Sequence, residues 1–229
     1  MTRTSLLCAL AFTLAGARAA AAQTQIGSSA GLSAGNAVFS NPDAAGTVYN
    51  GPATYAAAGL DLTFTAAGGT ISVERAGESY FSSAFPDGTA ITFAGGAAAA
   101  GSGPQAPLTL LFSNPVTEFG FGVEEYSFGT TTYSFDFYNG ATLLGTFTST
   151  GFNSYDDTTP KVLAFLGARA PAITRVVITD DSDNNIGIGD VSYRVASAST
   201  VPEPATVALV GLGLAGLGLA GRRRRARSA

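Results

Sequence analysis

Asp180, Asp181, Asp183, Asn184, Asn185 and Asp190 form the densest run of hard oxygen donors in the chain. A Ca²⁺ ion takes roughly six to eight oxygens, and Asp181, Asp183 and Asn185 have the alternate spacing by which a tight loop aims such groups at one point. Asp190, at the start of the last expected strand, is placed to complete a site from outside the loop. The run departs from an EF-hand at Ile186, where that loop needs glycine, and Gly187 comes one residue late. A solvated acidic turn between two strands accounts for the same residues.

Catalytic chemistry has less to work with. The chain contains no histidine, which removes a Ser/His/Asp triad, a His-ligated zinc and the imidazole base. Lys161 is the single lysine and follows Pro160, with no nucleophile motif beside it. Paired carboxylates for glycoside hydrolysis remain the enzymatic alternative. Glu124 and Glu125 are a poor pair, because consecutive residues of a strand face opposite ways, and Asp156-Asp157 could meet another acid only through the fold. The chain therefore reads as a binding or structural protein and not an enzyme.

Two further residue sets suggest surface recognition. Tyr49, Tyr55, Tyr80, Tyr126 and Tyr155 could stack on flat sugar faces, although there is no tryptophan and tyrosine also simply packs well in strands. Thr146, Thr148 and Thr150 share one face of a strand, as in a binder of ice or another crystalline surface. Such a surface needs the row repeated over several strands, and the sequence shows no internal repeat of fixed period. Sugar binding is the better supported of the two.

The elements that must carry these residues are strands. Leu60, Leu62 and Phe64 alternate with Asp61 and Thr63, and Phe119, Phe121 and Val123, like Tyr133, Phe135 and Phe137, follow the same period of two. Asn139-Gly140, between the run ending at Phe137 and the run Leu143 to Thr148, predicts a hairpin through a type I′ turn. Further strands are expected at Val38–Phe39, Thr47–Tyr49, Thr70–Arg75, Ala90–Phe93, Leu108–Phe112, Val162–Leu166, Ile173–Thr179 and Val191–Val195. No sustained helical stripe interrupts them. The expected fold of residues 23–196 is all-β, an antiparallel jelly-roll-like β-sandwich, with 94–107 as a Gly/Ala/Pro-rich loop.

The ends of the chain read as addresses. Residues 1–22 have Arg3, an apolar stretch from Leu6 to Leu14, and small residues at Ala20 and Ala22, the pattern of a secretory signal peptide. Cys8, the sole cysteine, falls inside it, so the mature protein is expected to hold no disulfide. The bases of the exported part are Arg75, Lys161, Arg169, Arg175 and Arg194, far fewer than its acids. That charge disfavours nucleic acid and suits divalent cations or neutral polymers. At the other end, a tether over 197–204 contains Pro202-Glu203-Pro204. The uncharged run 205–221 follows, roughly 25 Å long as a helix and so a minimal single transmembrane span. Arg222, Arg223, Arg224, Arg225 and Arg227 close the chain and hold the tail cytoplasmic.

This order of motif, span and arginine cluster resembles the PEP-CTERM sorting signal of Gram-negative bacteria. The resemblance implies recognition at Pro202-Glu203-Pro204 by an exosortase, an inner-membrane intermediate, and delivery to the cell surface or the medium. From Val116-Thr117-Glu118-Phe119-Gly120-Phe121 to Gly189-Asp190-Val191-Ser192-Tyr193 the chain also resembles β-sandwich ectodomains of exosortase substrates, which are similar to lectins and carbohydrate-binding modules. That implies a non-catalytic ectodomain in the extracellular matrix, with calcium-assisted binding of extracellular polysaccharide as the alternative and a glycoside hydrolase behind it.

Overall fold

The structure, a computed structural model, describes residues 23–77, 83–95, 107–125, 128–154, 159–181 and 186–197. The chain divides into two units, Ala21–Ala196 and a second made of Met1–Ala20 with Ser197–Ala229; the fold below is that of the first. The expected signal peptide, Pro202-Glu203-Pro204, the apolar run, the arginine tail and most of the 94–107 loop lie outside the described residues. No helix among the described residues is long and apolar enough to cross a membrane.

The strands are β1 (Thr24–Gln25), β2 (Ala37–Phe39), β3 (Thr47–Asn50), β4 (Ala53–Ala57), β5 (Leu60–Ala66), β6 (Thr70–Arg75), β7 (Ala90–Ala94), β8 (Leu108–Glu125), β9 (Gly129–Asn139), β10 (Thr142–Asn153), β11 (Ala164–Asp180) and β12 (Ile186–Val195), with one 3-10 turn at Ser29–Gly31. All pairings are antiparallel and join into one twelve-stranded network. The fold is all-β, as the alternation predicts.

Two pairs of expected strands prove to be single long ones. Leu108–Phe112 and Phe119–Val123 are the halves of β8, and Val162–Leu166 and Ile173–Thr179 fall largely within β11. Each joint is a bend that carries a proline. Pro115 and Pro171 lie where the β8/β11 register shifts, between Leu111/Arg175 and Glu118/Arg169. Proline has no N–H to give to a ladder, so it is tolerated where the ladder is already interrupted.

The bends fold the network into two layers. In the first, the order is β4, β5, the start of β8, the end of β11, β9 and β10. In the second, β1 is followed by the start of β11, the end of β8 and then β12, whose far side pairs with β2 along one half and with β7, β6 and β3 along the other. Phe135 and Phe137 from the first layer meet Phe119 from the second at centroid distances of 5.9 and 6.4 Å. Around them lie Phe64, Leu110, Ile178, Phe121, Leu166, Val191 and Tyr193, all shielded from water. Each such side chain contributes roughly 1.5–3 kcal/mol relative to exposure.

The Asn139-Gly140 hairpin forms, but with its turn one residue further on. Asn139 pairs with Thr142, leaving Gly140 and Ala141 as the loop. Only Gly140, at φ 57°, is left-handed, and no non-glycine residue has positive φ among those described. Glycine at the first central position alone is the type II′ arrangement. Asn139 remains in the ladder, and Gly140 N donates to Thr174 Oγ1 at 2.8 Å.

Candidate functional site

Of the residues expected to gather around calcium, Asp181 and Asp190 are described, and both are exposed. Asp181 Oδ1 accepts from Thr132 N at 2.9 Å, and Asp181 N donates to Thr132 O. The side chain thus extends the β9–β11 ladder by one residue. Asp190 stands on β12, four residues beyond Ile186, a strand rise of about 13 Å. Asp183 and Asn185 lie outside the described residues, as do Asp156 and Asp157. Among the described residues no three acidic side chains converge on one point.

The tyrosines serve packing where they are described. Tyr55 is buried, and both it and Tyr49 donate to Asp43 Oδ2 at 2.6 Å. Burial first, then the Asp43 carboxylate, holds the Tyr55 hydroxyl far above its ordinary value. Tyr80, Tyr126 and Tyr155 lie outside the described residues.

Two outward faces carry the remaining chemistry. On the second layer, the run from Glu118 to Glu124 is buried throughout, on both sides of β8. Its inward side chains are Phe119, Phe121 and Val123, and its outward positions are Glu118, Gly120, Gly122 and Glu124. The bare glycines let other segments lie directly on the sheet. A Cβ at Gly120 would stand 3.0 Å from Leu32 and 2.7 Å from Phe165 of the neighbouring β11, and one at Gly122 would stand 2.7 Å from both Phe85 and Leu163. Gly189 on β12 likewise lies under Phe85, and Gly187 makes room for the ring of Phe93, its partner across the β7–β12 ladder.

A glutamate stands at each end of this glycine floor. Glu118 accepts from Ser33 N, Ser33 Oγ and Asn36 Nδ2 at 2.5–2.9 Å and from Arg169 Nε at 2.7 Å. Burial opposes its charge, but these donors outweigh it and hold the carboxyl down at about 2. They also tie the 33–36 segment to the sheet, and Arg194 reinforces that hold through Asn36 Oδ1 and Ala34 O. Glu124 accepts from Ser83 Oγ at 2.6 Å and Ala84 N at 2.8 Å. The charge of Lys161 also lowers it, but burial wins and pushes it up to about 7.

The outward face of the first layer is open and rich in hydroxyls. Across the strands, in register, run Thr54, Thr63, Leu111, Arg175 and Tyr138; then Thr65, Thr109, Val177, Asp136 and Thr146; then Thr179, Ser134 and Thr148; and finally Thr132 and Thr150. The row expected from Thr146, Thr148 and Thr150 is therefore the edge of a wider field, built without any sequence repeat. At its centre the Arg175 guanidinium lies 4.0 Å over the Tyr138 ring. Asp136 accepts from Thr146 Oγ1 at 2.5 Å and from the Tyr138 hydroxyl at 3.2 Å. Ring face, guanidinium, carboxylate and hydroxyls on one surface can hold a neutral polyhydroxyl chain by stacking and hydrogen bonding.

Neither face is named by a sequence motif. The signal available was the alternation in Glu118-Phe119-Gly120-Phe121-Gly122-Val123-Glu124, bulky residues on one face and none on the other. The hydroxyl field had a weaker trace, threonine at alternate positions in several separate strands.

The PEP-CTERM protein-sorting motif matches residues 200–225, which include Pro202-Glu203-Pro204, the apolar run and Arg222 to Arg225. The chain thus carries the signal of an exported protein processed by an exosortase. No curated protein matches the chain. Among solved structures, the crystal structure of a DUF4465 family protein from Bacteroides caccae is 9% identical, with 76% of this chain and 100% of that chain covered and a TM-score of 0.38.

Proposed function

We propose that this chain delivers a non-catalytic binding module to the cell surface or extracellular matrix of a Gram-negative bacterium, and that the module holds a neutral extracellular polysaccharide on the outward face of its first layer. The observation that carries the reading is the hydroxyl field centred on Tyr138, Arg175 and Asp136. It spans β4, β5, β8, β11, β9 and β10, with Arg175 resting on the Tyr138 ring and Asp136 accepting from the Thr146 and Tyr138 hydroxyls. A polymer bound there exchanges water hydrogen bonds for hydroxyl ones along an extended surface. An acidic domain repels anionic chains and favours a neutral one. Export by the signal peptide, arrest at the apolar run and processing near Pro202-Glu203-Pro204 bring the module to the compartment where such polymers occur.

The test has two arms. Replacing Glu203 or deleting 205–221 in the producing host should leave unprocessed or misdirected protein; unchanged size and location in both variants would reject the delivery half. The processed wild-type protein should be retained on the host's neutral polysaccharide without releasing sugar. Tyr138→Ala combined with Arg175→Ala should cut retention at least tenfold with an unchanged circular dichroism spectrum. Equal retention would remove the face from the proposal, and sugar release would favour the hydrolase alternative.

A further inference from the structure

Between β8, β9 and β10 lies a cavity of about 10 Å³, lined by Glu124, Asn153, Thr131, Tyr133, Ala84 and Val162 among others. That volume is what one water needs. Three of its polar side chains are almost wholly buried, Thr131 at 2% exposure, Glu124 at 3% and Asn153 at 5%. Asn153 Oδ1 accepts from Ser154 N at 2.9 Å, which fixes the amide orientation, and Asn153 Nδ2 is a buried donor with no partner. A buried unpaired donor is costly, and a water between it and the Glu124 carboxyl would satisfy both.

Glu124 also fastens a strap. Ser83 Oγ and Ala84 N donate to its two oxygens, Phe85 N donates to Ser83 Oγ at 2.9 Å, and the Phe85 ring lies over Gly122 and Gly189. We propose that the cavity between Glu124 and Asn153 holds one ordered water, and that Glu124 with this water forms a proton-dependent latch that closes the Ser83–Pro86 strap over the glycine floor.

The sign follows from linkage. With the strap closed, burial raises the carboxyl from its ordinary 4.5 to about 7; with it lifted, water reaches the group and the ordinary value returns. The closed form therefore binds the proton more tightly, and raising the pH from 4.5 through 7 favours opening, by on the order of a hundredfold. The groups facing Glu124 do not reverse this. The strap brings Ser83 and backbone N–H groups, β12 brings Gly187 opposite it, and β9 and β10 bring Thr131, Tyr133 and Asn153. Lys161, on the segment before β11, supplies the opposing positive charge. The side chain of Glu125 lies outside those described.

Hydrogen exchange on the intact chain in detergent, read on the peptide covering Ser83–Pro86 and corrected for the intrinsic pH effect, tests the latch. Strap protection should fall on the order of a hundredfold between about pH 4.5 and 7 and level off above that. Lys161→Gln should move the onset of the plateau upward, and Glu124→Gln should abolish the pH dependence. Protection that is independent of pH in the wild type, or a plateau onset unmoved by Lys161→Gln, would overturn the latch whether or not Glu124→Gln folds. A high-resolution crystal structure should show one water bridging Asn153 Nδ2 and Glu124, and a cavity without it would overturn the hydration site.

Discussion

The two outward faces of the sandwich belong to the same network and share β8 and β11, yet they solve opposite problems. On the second layer the sheet is stripped to glycine, and segments of the chain are laid on it and pinned at either end by Glu118 and Glu124. On the first layer the side chains stay in place, small and hydroxylated, and no described segment lies across them. A face covered by its own chain uses its polar groups on itself. A face left bare pairs its polar groups with one another and still presents them to a ligand. The two glutamates make the same point at closer range. They lie six positions apart on one face of one strand, and one is held near 2 while the other rises to about 7. The difference is deeper burial at Glu124, and an arginine with three further donors at Glu118 against two donors and the charge of a lysine.

The largest break in this contrast should come from filling the glycine floor. Gly187→Val would drive a side chain into the Phe93 ring, which is itself buried. It should cost about 3 kcal/mol or more of stability in urea unfolding, the upper range for overpacking. A loss under about 0.5 kcal/mol, the ordinary surface value, would show that the Phe93 ring yields.

Glu118→Ala should come next. It leaves the Ser33 and Asn36 donors without their acceptor, while Arg169, at 46% exposure, can return to water. A cost of about 2–3 kcal/mol is expected, with faster proteolysis in the 33–36 segment than elsewhere. The sign in pH is opposite to that at Glu124. A carboxyl held below its ordinary 4.5 adds stability that is present above that value and is lost as the pH falls toward 2. Acid unfolding should therefore begin at a higher pH in Glu124→Gln than in Glu118→Ala once each is compared with its own neutral stability; the reverse order would mean that the two environments are misassigned.

The smallest effect belongs to the open face. Thr148→Val should change stability by no more than about 0.5 kcal/mol, because the side chain is exposed and makes no hydrogen bond through its hydroxyl beyond solvent reach. It should instead weaken retention on polysaccharide a few fold. A large loss of stability with unchanged binding would invert the roles of the two faces.

Much of the strand inventory was legible because a half-buried strand must alternate, as Tyr133, Phe135 and Phe137 do against Ser134 and Asp136. The errors came where local signals have two meanings. Leu108–Phe112 and Phe119–Val123 read as separate strands, as did Val162–Leu166 and Ile173–Thr179, and the fold joins each pair through a bend at Pro115 or Pro171, since an N–H missing from a ladder is harmless where the ladder turns between layers. Asn139-Gly140 read as the centre of a turn, and register moved the turn to Gly140-Ala141. The tyrosines read as exposed platforms, but alternation cannot say whether a ring faces solvent or a second sheet, and Tyr55 faces inward. Glu124 was weighed only as half of a poor catalytic pair and Glu118 was given no role, because a carboxylate on a strand is ordinarily solvated.

The sequence by itself determined the address and the class. A proline-bounded motif, an apolar run and an arginine cluster act through composition and order along the chain, and strand alternation acts between neighbours in sequence, so both are visible without a fold. Only the tertiary structure decided which faces are covered, which carboxyl is supported by an arginine, and how threonines from separate strands become one surface. Those properties depend on pairing between residues far apart in the chain, and the register that sets them is fixed by the packing of two layers rather than by any local run.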